Sequence, residues 1–234
     1  MHSKGVTQPA ANDPHDPDAM AQLAHVLAHR LRGLVASIEG FTDLLADTLV
    51  TRDQRELALK IMEGTARIES VLADLQLYGR ALEPVMLPVR VDEVLAEVLT
   101  PLADVERDRV TMVVAPDVER HTLEADPYLI RQALLILVQN ALDGTNRGGS
   151  VELHARLSHD AEWTELSVLN DGFIGVQEAE RLIFAPFYTT KAHNLGVGLT
   201  IARRIATLHG GSLDLTHNSA DAGVRFSLLL PRNS

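Results

Sequence analysis

The sequence predicts a long helical hairpin followed by an α+β sandwich, with helices lying on one face of a mixed sheet. Three observations carry this. An apolar residue recurs every three or four positions from Leu23 to Leu49, a second such run spans Leu57 to Leu75, and beyond Pro88 short strands and helices mix without strict alternation.

The first helix begins near residue 19. Leu23, Leu27, Leu31, Leu34, Ile38, Phe41, Leu45 and Leu49 are spaced 4, 4, 3, 4, 3, 4 and 4 apart, one apolar stripe along one side of a helix. Thr51 and Gln54 have capping-box spacing, so a second helix should start there and carry Leu57, Ile61, Ile68, Leu72 and Leu75. A hairpin with this much apolar face cannot bury it alone, and pairing with a second copy into a four-helix bundle is the expected solution. The chain therefore divides into a leader (1–18, rich in Pro, Asp and Asn), the hairpin (19–83) and a C-terminal domain (84–234).

In that domain "VRVDEVLAEVLTPLADV" reads as a short strand into a helix and "RVTMVVAPDV" as a strand. Asp126 and Pro127 suit the cap and first position of a strongly apolar helix running past Asn140. "GGSVELHARLS" and "TELSVLN" alternate like two antiparallel strands, "GVGLTIARRIATLHGG" is a helix stopped by Gly210 and Gly211, and "SLDLTHN" with "GVRFSLLLP" closes as a hairpin.

Composition excludes several classes of function. A net charge of −11 argues against a nucleic-acid surface. No cysteine is present, so disulfides, thiol nucleophiles and thiolate metal sites are absent. The longest apolar run, "ALLILV", is far below the ~20 residues that cross a membrane, and the N-terminus lacks a secretory signal. A cytoplasmic location is the expectation.

Four places offer chemistry, each with a plainer alternative on its own residues: a surface loop with helix-capping glycines, a helix-terminal Asn, a plain Asn-Asp-Gly turn and an ordinary exposed histidine. "FAPFYTTKAHNLGVG" sets Thr190 and Lys191 ahead of Gly196 and Gly198 at the start of a helix, where free N–H groups favour an anion. Asn140 has an uncharged oxygen suited to Mg2+, a metal that takes few protein ligands beside substrate phosphates. Asn170, Asp171 and Gly172 form a polar turn at a strand end, placed to meet an adenine amino group. His29 lies about 200° around the helix from the Leu27–Leu31 stripe at ~100° per residue, hence toward solvent. There its neutral ring could attack a phosphoryl group. His25 shares that face, but no third metal ligand is near.

Together these segments resemble the transmitter core of bacterial two-component sensor histidine kinases, over about residues 20–231. "FAPFYTTK" and "GVGLTIARRIATLHGG" look like that family's F-box and second glycine box, "RQALLILVQNALD" like its N-box. The resemblance implies a Bergerat (GHKL-type) ATP-binding domain with ATP and Mg2+ as cofactors. It implies that His29 accepts phosphate, that Arg32 matches the arginine of the family's H-E-L-R, and that Asn140 holds Mg2+. Asp143, Arg147, Asn170, Asp171, Gly172, Thr190, Lys191, Gly196, Gly198 and Leu199 are then the nucleotide-binding positions. The implied partners are a second copy of the chain and a response-regulator receiver domain, with no nucleic acid and no membrane segment. Input would come from a separate sensory partner or from a further part of a longer protein.

This chain departs from the pattern. Arg30 replaces an acidic residue after the histidine, and Gly33 and Leu34 stand at a polar residue and a proline. Ile136 replaces a second Asn, Asn170 and Asp171 are swapped relative to D-N-G, and Ile174 replaces a glycine. A degenerate kinase acting as a dimeric docking scaffold is the alternative.

Overall fold

The computed structural model describes residues 17–46, 48, 51–118, 121–145, 148–158, 161–175, 177–191 and 194–232, with the backbone alone for 17–22 and 177–179. Most of the expected leader lies outside these residues. The chain forms two compact units, residues 1–81 and 82–234.

The first unit is a hairpin of α1 (Pro17–Ala46) and α2 (Arg52–Gly79). The capping box is present: Thr51 Oγ1 accepts from Gln54 N at 3.3 Å and Gln54 Oε1 accepts from Thr51 N at 3.2 Å. The seam between the helices differs from the expected stripe. Ala24, Ala28, Val35 and Thr42 on α1 are buried with Ala58, Thr65 and Leu72 on α2. The described residues of the predicted α1 stripe stay exposed, Leu34 at 63% and Phe41 at 69%, whereas Leu72 of the predicted α2 run is buried in the seam with Leu75 packed against it. The reason is size. Small side chains let two helices approach closely, and the larger neighbours are left on the outer flank.

The second unit contains β1 (Leu87–Arg90), α3 (Val91–Val98), α4 (Asp104–Arg107), β2 (Val110–Val114), β3 (Thr122–Ala125) and α5 (Pro127–Gly144). These are followed by β4 (Val151–Leu157), β5 (Trp163–Asn170), α6 (Gln177–Leu182), α7 (Gly198–Leu208), β6 (Ser212–Ser219) and β7 (Gly223–Pro231). A five-stranded sheet runs β2-β4-β5-β7-β6, and β1 pairs with β3 in a separate ribbon. Only β2 and β4 are parallel; the other pairs in the sheet are antiparallel. The expected mixed sheet is therefore found. Strand β3 and helices α4 and α6 were not anticipated.

Alternation along the strands sorts the two faces. Leu153, Leu166, Val168, Phe226 and Leu228 are buried, as are the inward positions Leu134, Leu137 and Val138 of α5 and Ile201 and Ile205 of α7. The opposite face is polar. There Glu165 accepts from Arg156 Nε and Ser227 Oγ, both at 2.8 Å, which satisfies a carboxylate that is only 8% exposed.

Candidate functional site

The site is built around the last turn of α5, and its position follows from how the two ends of α5 are fixed. Asp126 caps the helix: its Oδ1 accepts from Leu129 N at 3.0 Å, its Oδ2 from Val85 N at 2.9 Å, and Pro127 takes the first helical position. Asp126 N–H donates to His209 Nε2 at 2.9 Å, and the other ring nitrogen of His209 lies 2.8 Å from Ile205 O. An accepting Nε2 requires the proton on Nδ1, which then donates to that carbonyl. The start of α5 is thus tied to the end of α7. At the other end Gly198, the first residue of α7, presses on Ile136 so closely that a β-carbon there would lie 3.1 Å from Ile136 Cγ2. Held antiparallel, the N-terminus of α7 meets α5 at Ile136, one turn before Asn140.

The segment leading into α7 folds over this junction. Tyr188 N donates to Ala185 O at 3.3 Å, closing a turn through Pro186 and Phe187, whose φ is 64°. That is the left-handed region, normally left to Gly or Asn in such turns. Thr189 Oγ1 accepts from Lys191 N at 3.0 Å. Gly196 has φ +74°, and a β-carbon on it would stand 2.5 Å from Tyr188 O, so only glycine fits. Val197 caps α7 without a side-chain hydrogen bond, leaving the helix's positive end to backbone N–H groups.

Lys191 reaches back onto α5. Its Nζ donates to Asn140 Oδ1 at 2.8 Å, to Asn140 O at 3.2 Å and to Asp143 Oδ2 at 3.3 Å, while Asn194 Nδ2 donates to the same Asp143 oxygen at 3.2 Å. A carboxylate, an amide oxygen and a main-chain carbonyl at the negative end of a helix form a cation site. The ammonium of Lys191 occupies it, on the same Asn140 oxygen that the Mg2+ expectation names. Among the described residues no cluster of three or more His, Asp or Glu competes as a metal site.

The strand-end turn is more closed than its sequence suggested. Asn170 is 7% exposed, and its hydrogen-bond partners orient the amide: nitrogen donating to Val224 O, oxygen accepting from Gly172 N, each at 3.2 Å. Gly172 is buried beneath it, whereas Asp171 is exposed, its carboxylate lying against Gly149 where a β-carbon would fall. Arg109 steadies the neighbouring turn, donating to Gly149 O at 3.1 Å and to Thr145 Oγ1. Thr190 is exposed and Leu199 half-buried. Arg147 lies outside the described residues.

On the hairpin, His29 is exposed next to Ala28, which is fully buried in the seam. Arg30 and His25 are exposed as well. Arg32 turns inward, donating to Gln76 Oε1 on α2 at 2.5 Å. Sequence reasoning missed Arg109, His209 and Gln76, whose partners lie 36 to 83 residues away in the chain.

Comparison with known proteins fits this geometry. Residues 125–234 match the family described as histidine kinase-, DNA gyrase B- and HSP90-like ATPases. Sensor histidine kinase ZraS of Klebsiella oxytoca is 28% identical over 219 residues, covering 92% of this chain and 46% of that protein. Among solved structures, full-length ShkA in complex with AMPPNP aligns with a TM-score of 0.71 at 25% identity, over 91% of this chain and 46% of that one. Histidine kinase ThkA in complex with the response regulator TrrA aligns at 0.64 and 25% identity, over 90% and 61%. The chain spans about half the length of the curated relatives it matches. No described helix is long and apolar enough to cross a membrane.

Proposed function

We propose, from the premise that this chain holds the transmitter core of a two-component sensor histidine kinase, that it moves the γ-phosphoryl group of ATP onto His29 and then to an aspartate of a receiver domain. One observation carries the reading: a cation site at the end of α5 adjoins the positive end of α7, a pairing that complements a metal–polyphosphate group. The exposed imidazole of His29 supplies the acceptor.

Each group has a task. Asn140, with Asp143 beside it, would hold Mg2+, which when bound would neutralise phosphate oxygens. Thr190, Lys191, Gly196, Gly198 and Leu199 bring donors and bare backbone to the phosphates, and Asp171 and Gly172 line the base side. A ring nitrogen of His29 forms the new bond to the γ-phosphorus as the bond to the bridging oxygen breaks, and ADP leaves. Arg32 braces the acceptor helix through Gln76. Phosphoryl transfer asks the protein chiefly for positioning and charge neutralisation. The exposed leucines of the hairpin support a homodimer, and the ThkA–TrrA complex supports a response regulator as the second partner.

A docking scaffold with weak nucleotide use is the second reading. It is favoured by Asn170, whose amide already serves Val224 and Gly172, and by Arg30 beside the acceptor. Incubation with γ-labelled ATP and Mg2+ separates the two. An acid-labile, base-stable label that disappears in His29→Ala supports the kinase, whereas nucleotide binding without label supports the scaffold.

A further inference from the structure

We infer that Lys191 is a tethered counter-cation which Mg2+ must displace from α5, so that metal and nucleotide bind cooperatively through this one side chain. The inference rests on the nucleotide-site reading above and adds an exchange to it. An ammonium has three N–H donors, and Lys191 finds three acceptors on α5: Asn140 Oδ1 at 2.8 Å, Asn140 O at 3.2 Å and Asp143 Oδ2 at 3.3 Å. Its side chain is 29% exposed and that of Asp143 52%, so the pair is shielded on one side and open to exchange on the other.

Mg2+ binds oxygen at about 2.0–2.1 Å. A metal on Asn140 Oδ1 and an ammonium on the same oxygen would stand within ~4–5 Å of one another, two cations competing for the single carboxylate of Asp143. Both cannot be held there. In the nucleotide-free protein, Lys191 therefore excludes the metal. Once phosphates arrive beside α7, they offer the displaced ammonium a new anionic partner, and Asn140 is freed. The same side chain first guards the metal ligand and then neutralises the nucleotide. Each ligand thereby strengthens the other, by the same factor in both directions.

Mn2+ binding to the full chain, followed by calorimetry or by the paramagnetic signal of the free ion, tests this without catalysis. In the absence of nucleotide, Lys191→Met and Lys191→Gln should bind Mn2+ about five- to tenfold more tightly than wild type, while Lys191→Arg, which keeps the charge, stays near wild type. Thermal melts confirm that each variant is folded. Unchanged or weaker Mn2+ binding in both neutral variants overturns the exchange. In a second arm ADP is added: the factor by which it tightens Mn2+ binding should shrink in the neutral variants, and an equal factor overturns the coupling. Should ADP leave Mn2+ affinity unaltered in every form, including wild type, the nucleotide reading fails, and the first arm still decides whether Lys191 excludes the metal.

Discussion

At the scale of single residues, His209 shows how one buried side chain fixes the junction of two helices. It is 4% exposed and joins the first N–H of the α5 cap to the last turn of α7. His209→Ala leaves the Asp126 N–H buried without a partner and opens a void. We expect a loss of about 2–4 kcal/mol, measured by denaturant unfolding, with nucleotide affinity falling as α5 and α7 loosen. Arg30 acts at the other unit. A cation next to His29 cannot draw a proton from the ring as a carboxylate can, so Arg30→Glu should speed labelling of His29 in a γ-labelled ATP time course. An unchanged or slower rate would remove the general-base argument. Neither role of His209 nor that of Arg109 was legible in the sequence, because their partners are distant in the chain and nothing local marks them. Asp126 and Pro127 were legible, since a cap is written within four residues.

At the scale of elements, the hairpin was read as two helices, and the seam they share within one chain lies on α1 beside the leucine stripe rather than on it. The leucine stripe and the alanine–threonine seam both follow helical spacing and are offset by about one residue, so periodicity alone cannot say which faces the partner helix. Short elements escaped for a different reason: β3 and α4 have four residues each and α6 six, too few to show a period. The antiparallel β4–β5 and β6–β7 pairs were visible because alternation persists over seven or more residues. Within α2, burial raises the Asp74 carboxyl from 3.8 to about 6. The folded hairpin thus binds this proton more tightly than the unfolded chain does. The contribution of this group to stability is full below about pH 4 and is lost as pH rises through 6, where the buried carboxyl ionises. Asp74→Asn should flatten this dependence and stabilise the hairpin by on the order of 2 kcal/mol at pH 7, read from thermal melts across pH 4–7.

For the whole molecule, two units with separate cores imply two unfolding events. The hairpin leaves Leu27, Leu31, Leu34, Ile38, Phe41 and Leu45 exposed on the single chain, so its stability should depend on pairing and hence on concentration. Calorimetry at ten- and hundredfold dilution should lower the temperature of one transition and leave the other in place; two dilution-independent transitions would argue against a homodimer. The narrow seam inside each hairpin has its own consequence. Ala28, Val35 and Leu72, with Leu75 against them, form a packed cluster there, and Arg32 bonds Gln76 across the seam three residues from His29. A twist applied at one end of α1 would therefore reach the imidazole of His29 only by working against that clamp.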